Sequence, residues 1–200
     1  SLGAKAIYYF LKNKIKKNFK FLENLDLKKS NKKKSLNIII SKSGNTLETI
    51  VNFNSSFDKK NKNIFLTENR SNYLNLLAKK LKSEVVEHKN FIGGRFSVLS
   101  EVGMLPAELM GLNENKFKVY NNLIIKKSFI NNVIHNVINT YKLIKQKKFN
   151  SVILNYDPHS EDLFKWYQQL ISESLGKNSR GVMPIISSMP KDNHSILQLY

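Results

Sequence analysis

Residues 37–50 read NIIISKSGNTLETI. Leu36 to Ile40 has the short apolar character of a buried strand. It runs into Ser41-Lys42-Ser43-Gly44-Asn45-Thr46, and Leu47 to Phe53 then resumes with the apolar spacing of a helix's first turns. A strand that passes through a small-residue loop into a helix is the unit from which parallel sheets are built. In open parallel sheets ligands bind beyond the carboxyl ends of the strands, where a helix start offers unpaired N–H groups. Ser41, Ser43 and Thr46 add hydroxyl donors, Gly44 permits close backbone approach, and Lys42 adds charge. Those chemistries suit a phosphate. The GxxxxGK[ST] spacing of a P-loop is absent. The alternative for this loop is an ordinary strand–helix turn with a Ser or Thr N-cap.

The pattern repeats in both directions. SLGAKAIYYFLKNKIKK (1–17) has helical spacing at Ala4, Ile7, Tyr8, Leu11 and Ile15, and a short strand is expected around Phe19–Leu22. A lysine-rich helical or loop stretch then leads to the strand at 36–40. NIFLTEN (63–69) reads as a strand, SNYLNLLAKKL (71–81) as a helix with a Ser cap, and EVVEH (84–88) as another strand. A glycine turn and an apolar helix containing Pro106 follow within 91–111. Then come a long helical stretch (128–147), a strand SVILNY (151–156) and an amphipathic helix (161–174) carrying Phe164 and Trp166, which read as core or interface residues. This alternation predicts an α/β fold of doubly wound parallel sheets, one domain nearly complete and a second in part. The division is expected at 1–110 and 111–200.

The chain has 200 residues, 41% of them hydrophobic and 10% aromatic, enough for a packed core. No apolar run approaches the roughly 20 residues that span a bilayer. Cysteine is absent, which removes disulfides and thiolate metal sites and fits a reducing compartment. The formal charge of +18 invites a nucleic-acid reading through LKNKIKKNFK (11–20) and KKSNKKK (28–34). Against it, arginine stands only at Arg70, Arg95 and Arg180, and arginine is the residue suited to bidentate base and phosphate contacts. The lysine excess reads as a solvated surface. A true nucleic-acid binder would show steep salt-dependent binding to duplex DNA without sugar-phosphate competition.

Four segments occur in a fixed order: SKSGNTLET (41–49), GGRFSVLSEVGMLPAELMG (93–111), ESLGK (173–177) and DNHSILQLY (192–200). Together they resemble the phosphoglucose isomerase family, whose members are built from sugar isomerase domains of Rossmann-like fold. The opening SLGAKAI also resembles the second half of that family's GIGGSSLG phosphate loop. The resemblance implies an aldose–ketose isomerase of glycolysis and gluconeogenesis that interconverts glucose 6-phosphate and fructose 6-phosphate. It implies that Ser41, Lys42, Ser43 and Thr46 hold the sugar phosphate, and that Arg95 stabilises charge on the enediolate, with Gly94 supporting. Glu173 would be the base that moves a proton between C2 and C1. His194 would open the sugar ring, supplied by the neighbouring subunit of a homodimer, and Glu48 would pair with that histidine. No cofactor, metal, specific nucleic acid or membrane is implied, and the setting would be cytoplasmic.

The chemistry fits these residue types. A carboxylate can take a carbon-bound proton beside a carbonyl and return it to the next carbon through a cis-enediol. Charge on the intermediate's oxygen calls for a cation that keeps its proton, which favours arginine over lysine. Ring opening near neutral pH suits histidine. Each residue also has a plainer role open to it: Glu173 as an i,i+4 partner of Lys177, Arg95 as a structural arginine after a glycine turn, and His194 as a surface residue. His88, His135 and His159 have no motif around them. The family's GIGG half-loop would lie before Ser1, and its catalytic lysine and glutamine after Tyr200, so the 200-residue piece alone is expected to be inactive. Two other readings are a non-catalytic sugar-phosphate sensor, which would need Ser41–Thr46 but not Glu173, Arg95 or His194, and a dual phosphoglucose/phosphomannose isomerase.

Overall fold

The computed structural model describes residues 1–23, 25, 34–178 and 180–200. The expected lysine-rich stretch ahead of residue 34 lies largely outside them. The chain divides into two compact units, residues 1 and 18–106, and residues 2–17 and 107–200.

The first unit is a three-stranded parallel sheet of β1 (Leu36–Ile40), β2 (Lys62–Glu68) and β3 (Glu84–His88), in that order. Ile38 stands beside Ile64, and Leu66 beside Val86. The connections are α2 (Leu47–Ser56) and α3 (Tyr73–Lys80). Central β2 buries Phe65 and Leu66, neighbours that point to opposite faces, so both faces of the sheet are covered there. Phe65 packs with Ile39, Phe53 of α2, and Leu74 and Ala78 of α3. The rings of Phe53 and Phe65 meet edge-on at 5.4 Å. Fully burying a side chain such as Phe65 stabilises by about 1.5–3 kcal/mol, so this contact decides which face of each helix turns inward.

The second unit pairs β4 (Asn150–Asn155) with β5 (Met183–Ser188), again in parallel. Between them in sequence runs α6 (Glu161–Leu175), and α1 (Leu2–Phe10) packs on α6. Lys5 of α1 pairs with Asp162 of α6 at 3.1 Å. The amide of Gln168 on α6 donates to the Pro184 carbonyl of β5 at 2.8 Å. Trp166, the sole tryptophan, is half-buried on α6. The α4 helix (Glu101–Leu109) and the long, exposed α5 helix (Lys127–Lys145) complete the elements. The opening helix, α1, belongs with α6 to this second unit.

Four local expectations change. The opening helix stops at Phe10, after which bonding tightens to Lys14 N–H on Leu11 and Ile15 N–H on Lys12. Asn13 and the crowded lysines favour neither another α-turn nor a longer helix. Residues 19–22 form no strand: the described three-stranded sheet consists of β1, β2 and β3, and that segment pairs with none of them. The cap of α3 is Asn72 rather than Ser71: its Oδ1 accepts from the Asn75 N–H at 2.9 Å. Strand β5 was not anticipated, since Pro184 argues against a strand interior. At this edge position its missing N–H costs the ladder little, and its carbonyl is taken by Gln168.

Candidate functional site

Past Ile40 the β1–β2 pairing continues for two more bonds, from Ser41 N–H to the Leu66 carbonyl and from Glu68 N–H to the Lys42 carbonyl, each at 3.1 Å. The chain then folds back on itself. The Gly44 N–H lies 3.1 Å from the Ser41 carbonyl and 3.2 Å from the Ser41 hydroxyl. The hydroxyls of Ser41 and Thr46 are 2.7 Å apart, closing the loop at its neck. Thr46 occupies the N-cap position of α2, yet its side chain makes no capping bond, so the amides of that first turn have no cap from it. The plain capped turn is therefore not what forms. Ser43 accepts from the Asn45 N–H at 3.2 Å, and Glu48 sits exposed in the first turn of α2.

Gly44 adopts φ +69°, and its carbonyl and the Asn45 side chain take the N–H groups of Leu74 and Tyr73 at 3.1 and 3.0 Å. The start of α3 is thus consumed in holding the loop, while the start of α2 faces it.

Lys42 points away along the strand ends. Its ammonium donates to the carbonyls of Asn90 at 2.9 Å and Ile92 at 2.8 Å, and lies 3.5 Å from a Glu68 carboxylate oxygen. Glu68, itself buried, also pairs with Arg70 at 3.0 Å. The lysine expected to meet phosphate thus already faces three oxygens, and its tie runs to the segment leading into Gly93-Gly94-Arg95.

Arg95 lies on the 3-10 turn Gly94–Leu99, half-buried, with its guanidinium 4.8 Å over the Phe96 ring. The Ser97 hydroxyl donates to the Gly94 carbonyl at 2.6 Å. A Cβ at Gly94 would meet nothing within 4 Å, and its φ is not left-handed, so the fold does not itself require glycine there. Gly103 contrasts with it: a Cβ there would stand 1.9 Å from the Val98 carbonyl oxygen.

The second unit carries the other two candidates. Glu173 is exposed on the last turn of α6 and accepts from the Gln169 amide at 2.8 Å. His194 ends the 3-10 turn Lys191–His194 that follows β5, and is also exposed. Asp192 ties that turn to the strand exit: one carboxylate oxygen accepts both the Ser187 hydroxyl and the Ser188 N–H at 2.8 Å. Ser41, Lys42, Ser43, Thr46, Glu48, Gly94 and Arg95 thus belong to the first unit, and Glu173 and His194 to the second.

Sequence reasoning set His88 aside, and the structure buries it in the first unit. It is 1% exposed, its Nδ1 meets the Glu101 carboxylate, and its Nε2 lies 3.1 Å from the Ile92 carbonyl. Thirteen residues separate the pair, so no local signal announced it. Among the described residues no group of three or more His, Cys, Asp or Glu could hold a metal ion, and no helix is long and apolar enough to cross a membrane.

Parallel α/β units with a hydroxyl-lined loop at a strand exit form a broad class of anion-binding folds. Within it, the phosphoglucose isomerase family model matches residues 2–185, and the chain belongs to that family. The glucose-6-phosphate isomerase of Methanocaldococcus jannaschii is 37% identical over 223 aligned positions, covering 100% of this chain and 54% of that protein. The probable glucose-6-phosphate isomerase of Methanococcus maripaludis is 34% identical, covering 97% of this chain and 46% of its own length. The chain therefore spans about half the length of the curated relatives it matches. A crystal structure of a hypothetical protein from Thermus thermophilus superposes with a TM-score of 0.79 at 24% identity, over 100% of this chain and 53% of that one, a likeness of fold.

Proposed function

We propose that this chain forms part of an isomerase that interconverts glucose 6-phosphate and fructose 6-phosphate, built from two sugar isomerase domains divided near residue 110. The observation that carries the phosphate half of this reading is the Ser41–Thr46 neck, 2.7 Å across, set against the first turn of α2, which Thr46 leaves uncapped. Hydroxyls and helix-start amides together offer a ring of donors at the positive end of a helix dipole. Ser41, Ser43, Thr46 and the loop amides, Lys42 among them, hold the phosphate. It lies away from the reacting carbons, so its binding energy serves to orient them.

The reaction assigns one group to each demand. Glu173 removes the C2 proton and returns it to C1 through a cis-enediol, and its exposed position on α6 leaves it open to a ligand. Arg95, with Gly94 giving access, offsets charge on the enediolate oxygen. His194 opens the ring, Glu48 pairs with a histidine of this kind from a second copy, and the working form is a homodimer. Family membership supports this reading over a sugar-phosphate sensor, and a phosphorylated, membrane-impermeant substrate fits a cytoplasmic setting. The test is turnover of glucose 6-phosphate, with mannose 6-phosphate in parallel, by the protein expressed from its complete reading frame. Conversion of glucose 6-phosphate is expected, and its absence overturns the assignment.

A further inference from the structure

The Ile92 carbonyl is a meeting point. Lys42 donates to it at 2.8 Å, and His88 Nε2 lies 3.1 Å away. A carbonyl oxygen only accepts, so Nε2 is the donor in that contact, and Nδ1 faces the Glu101 carboxylate. The histidine thereby has a fixed orientation inside the unit, held at both nitrogens. Lys42 has three ammonium protons, and the carbonyls of Asn90 and Ile92 and the Glu68 carboxylate provide three acceptors. Two residues past Ile92 the chain reaches Gly94 and Arg95.

We propose that Lys42, His88 and Glu101 are positioning residues. Lys42 directs its ammonium to the 90–92 segment instead of to the ligand, and the His88–Glu101 pair holds the same carbonyl from the interior. Together they fix the offset between the Ser41–Thr46 loop and the Arg95 turn. Phosphate is then gripped by hydroxyls and amides, and the lysine charge sets geometry. For its effect on turnover this rests on the isomerase reading; the tie itself does not.

The experiment uses the protein from its complete reading frame, with glucitol 6-phosphate, a sugar phosphate that cannot isomerise, as the binding probe. In the unmutated protein the 15N resonance of the Lys42 ammonium should keep its position when the probe binds; a large shift would mean that phosphate meets the ammonium. Lys42→Met and Glu101→Gln should each raise hydrogen exchange across residues 89–96 by about fivefold or more. Affinity for the probe should stay within about threefold, with unchanged salt dependence, while kcat falls about tenfold or more. Unchanged exchange at 89–96 overturns the tie, as does a tenfold loss of affinity with flattened salt dependence. Should Lys42→Met fail to fold, the resonance measurement still decides. If the unmutated protein has no isomerase activity, the function falls while exchange and resonance continue to judge the tie.

Discussion

A Cβ placed on Gly44 would stand 2.1 Å from Oδ1 of Asn72, the residue that caps α3. The anion loop and the helix after the next strand are therefore built against each other. Gly44→Ala must both hold alanine at φ +69° and displace the cap. The expected loss is about 2–3 kcal/mol in chemical denaturation, from the left-handed penalty and the cap together. Asn72→Ala, which removes only the cap, should lose about 1 kcal/mol.

Ser41→Ala and Thr46→Val each delete one hydroxyl of the neck. If that neck holds a phosphate, each should weaken binding of glucitol 6-phosphate about tenfold, as expected for a hydrogen bond to a charged group. Thr46 is exposed, so its variant should unfold within about 0.5 kcal/mol of the parent. Calorimetric titration together with denaturation separates the two effects.

Gly94 and Gly103 should answer alanine in opposite ways. At Gly94 the added methyl meets open space, so stability should change by no more than about 0.5 kcal/mol while kcat/KM falls. At Gly103 it would collide with the backbone oxygen of Val98, and a loss of about 3 kcal/mol or more, or no soluble protein, is expected. Equal destabilisation at both would reject a ligand-facing role for Gly94.

Glu173→Gln keeps the shape and the Gln169 neighbour while removing the base. Turnover should fall by about a thousandfold, within the range attributed to general bases, with probe binding kept within about threefold. Retained turnover would remove Glu173 from the mechanism.

Asp157 lies outside the candidate site and gives a pH prediction. The Ser160 hydroxyl first, then the His159 backbone N–H, hold its carboxyl below the usual 3.8. A depressed folded pKa stabilises above the unfolded value, and that contribution is lost as the pH falls through the folded pKa. The turn Pro158–Ser160 should thus stay intact at neutral pH and loosen only in acid below 3.8. Carboxyl 13C titration should show the Asp157 pKa moving up toward 3.8 in Ser160→Ala.

Strands β1 to β3 and helices α2, α3 and α6 were legible because burial on a sheet or helix face imposes a period on the sequence. Pro184 hid β5, since the rule against proline in strands holds for interiors and this strand lies at an edge. Residues 19–22 looked like a strand because Phe19, Phe21 and Leu22 make a short apolar run, yet such a run supplies no partner to pair with. The hydroxyl loop could be read from six adjacent residues. The direction of Lys42 could not, because its acceptors lie 48 and 50 positions away. His88 and Glu101 were hidden for the same reason, since a contact across thirteen positions leaves no periodic trace.

Trp166 lies seven positions before Glu173 on α6, two helical turns along the same face. As the sole tryptophan of the chain, it makes the indole emission a signal from the second unit alone. The 200-residue chain thereby carries its own optical label. Denaturation followed by tryptophan fluorescence tracks that unit, circular dichroism tracks both, and any gap between the two curves measures how far the halves melt independently.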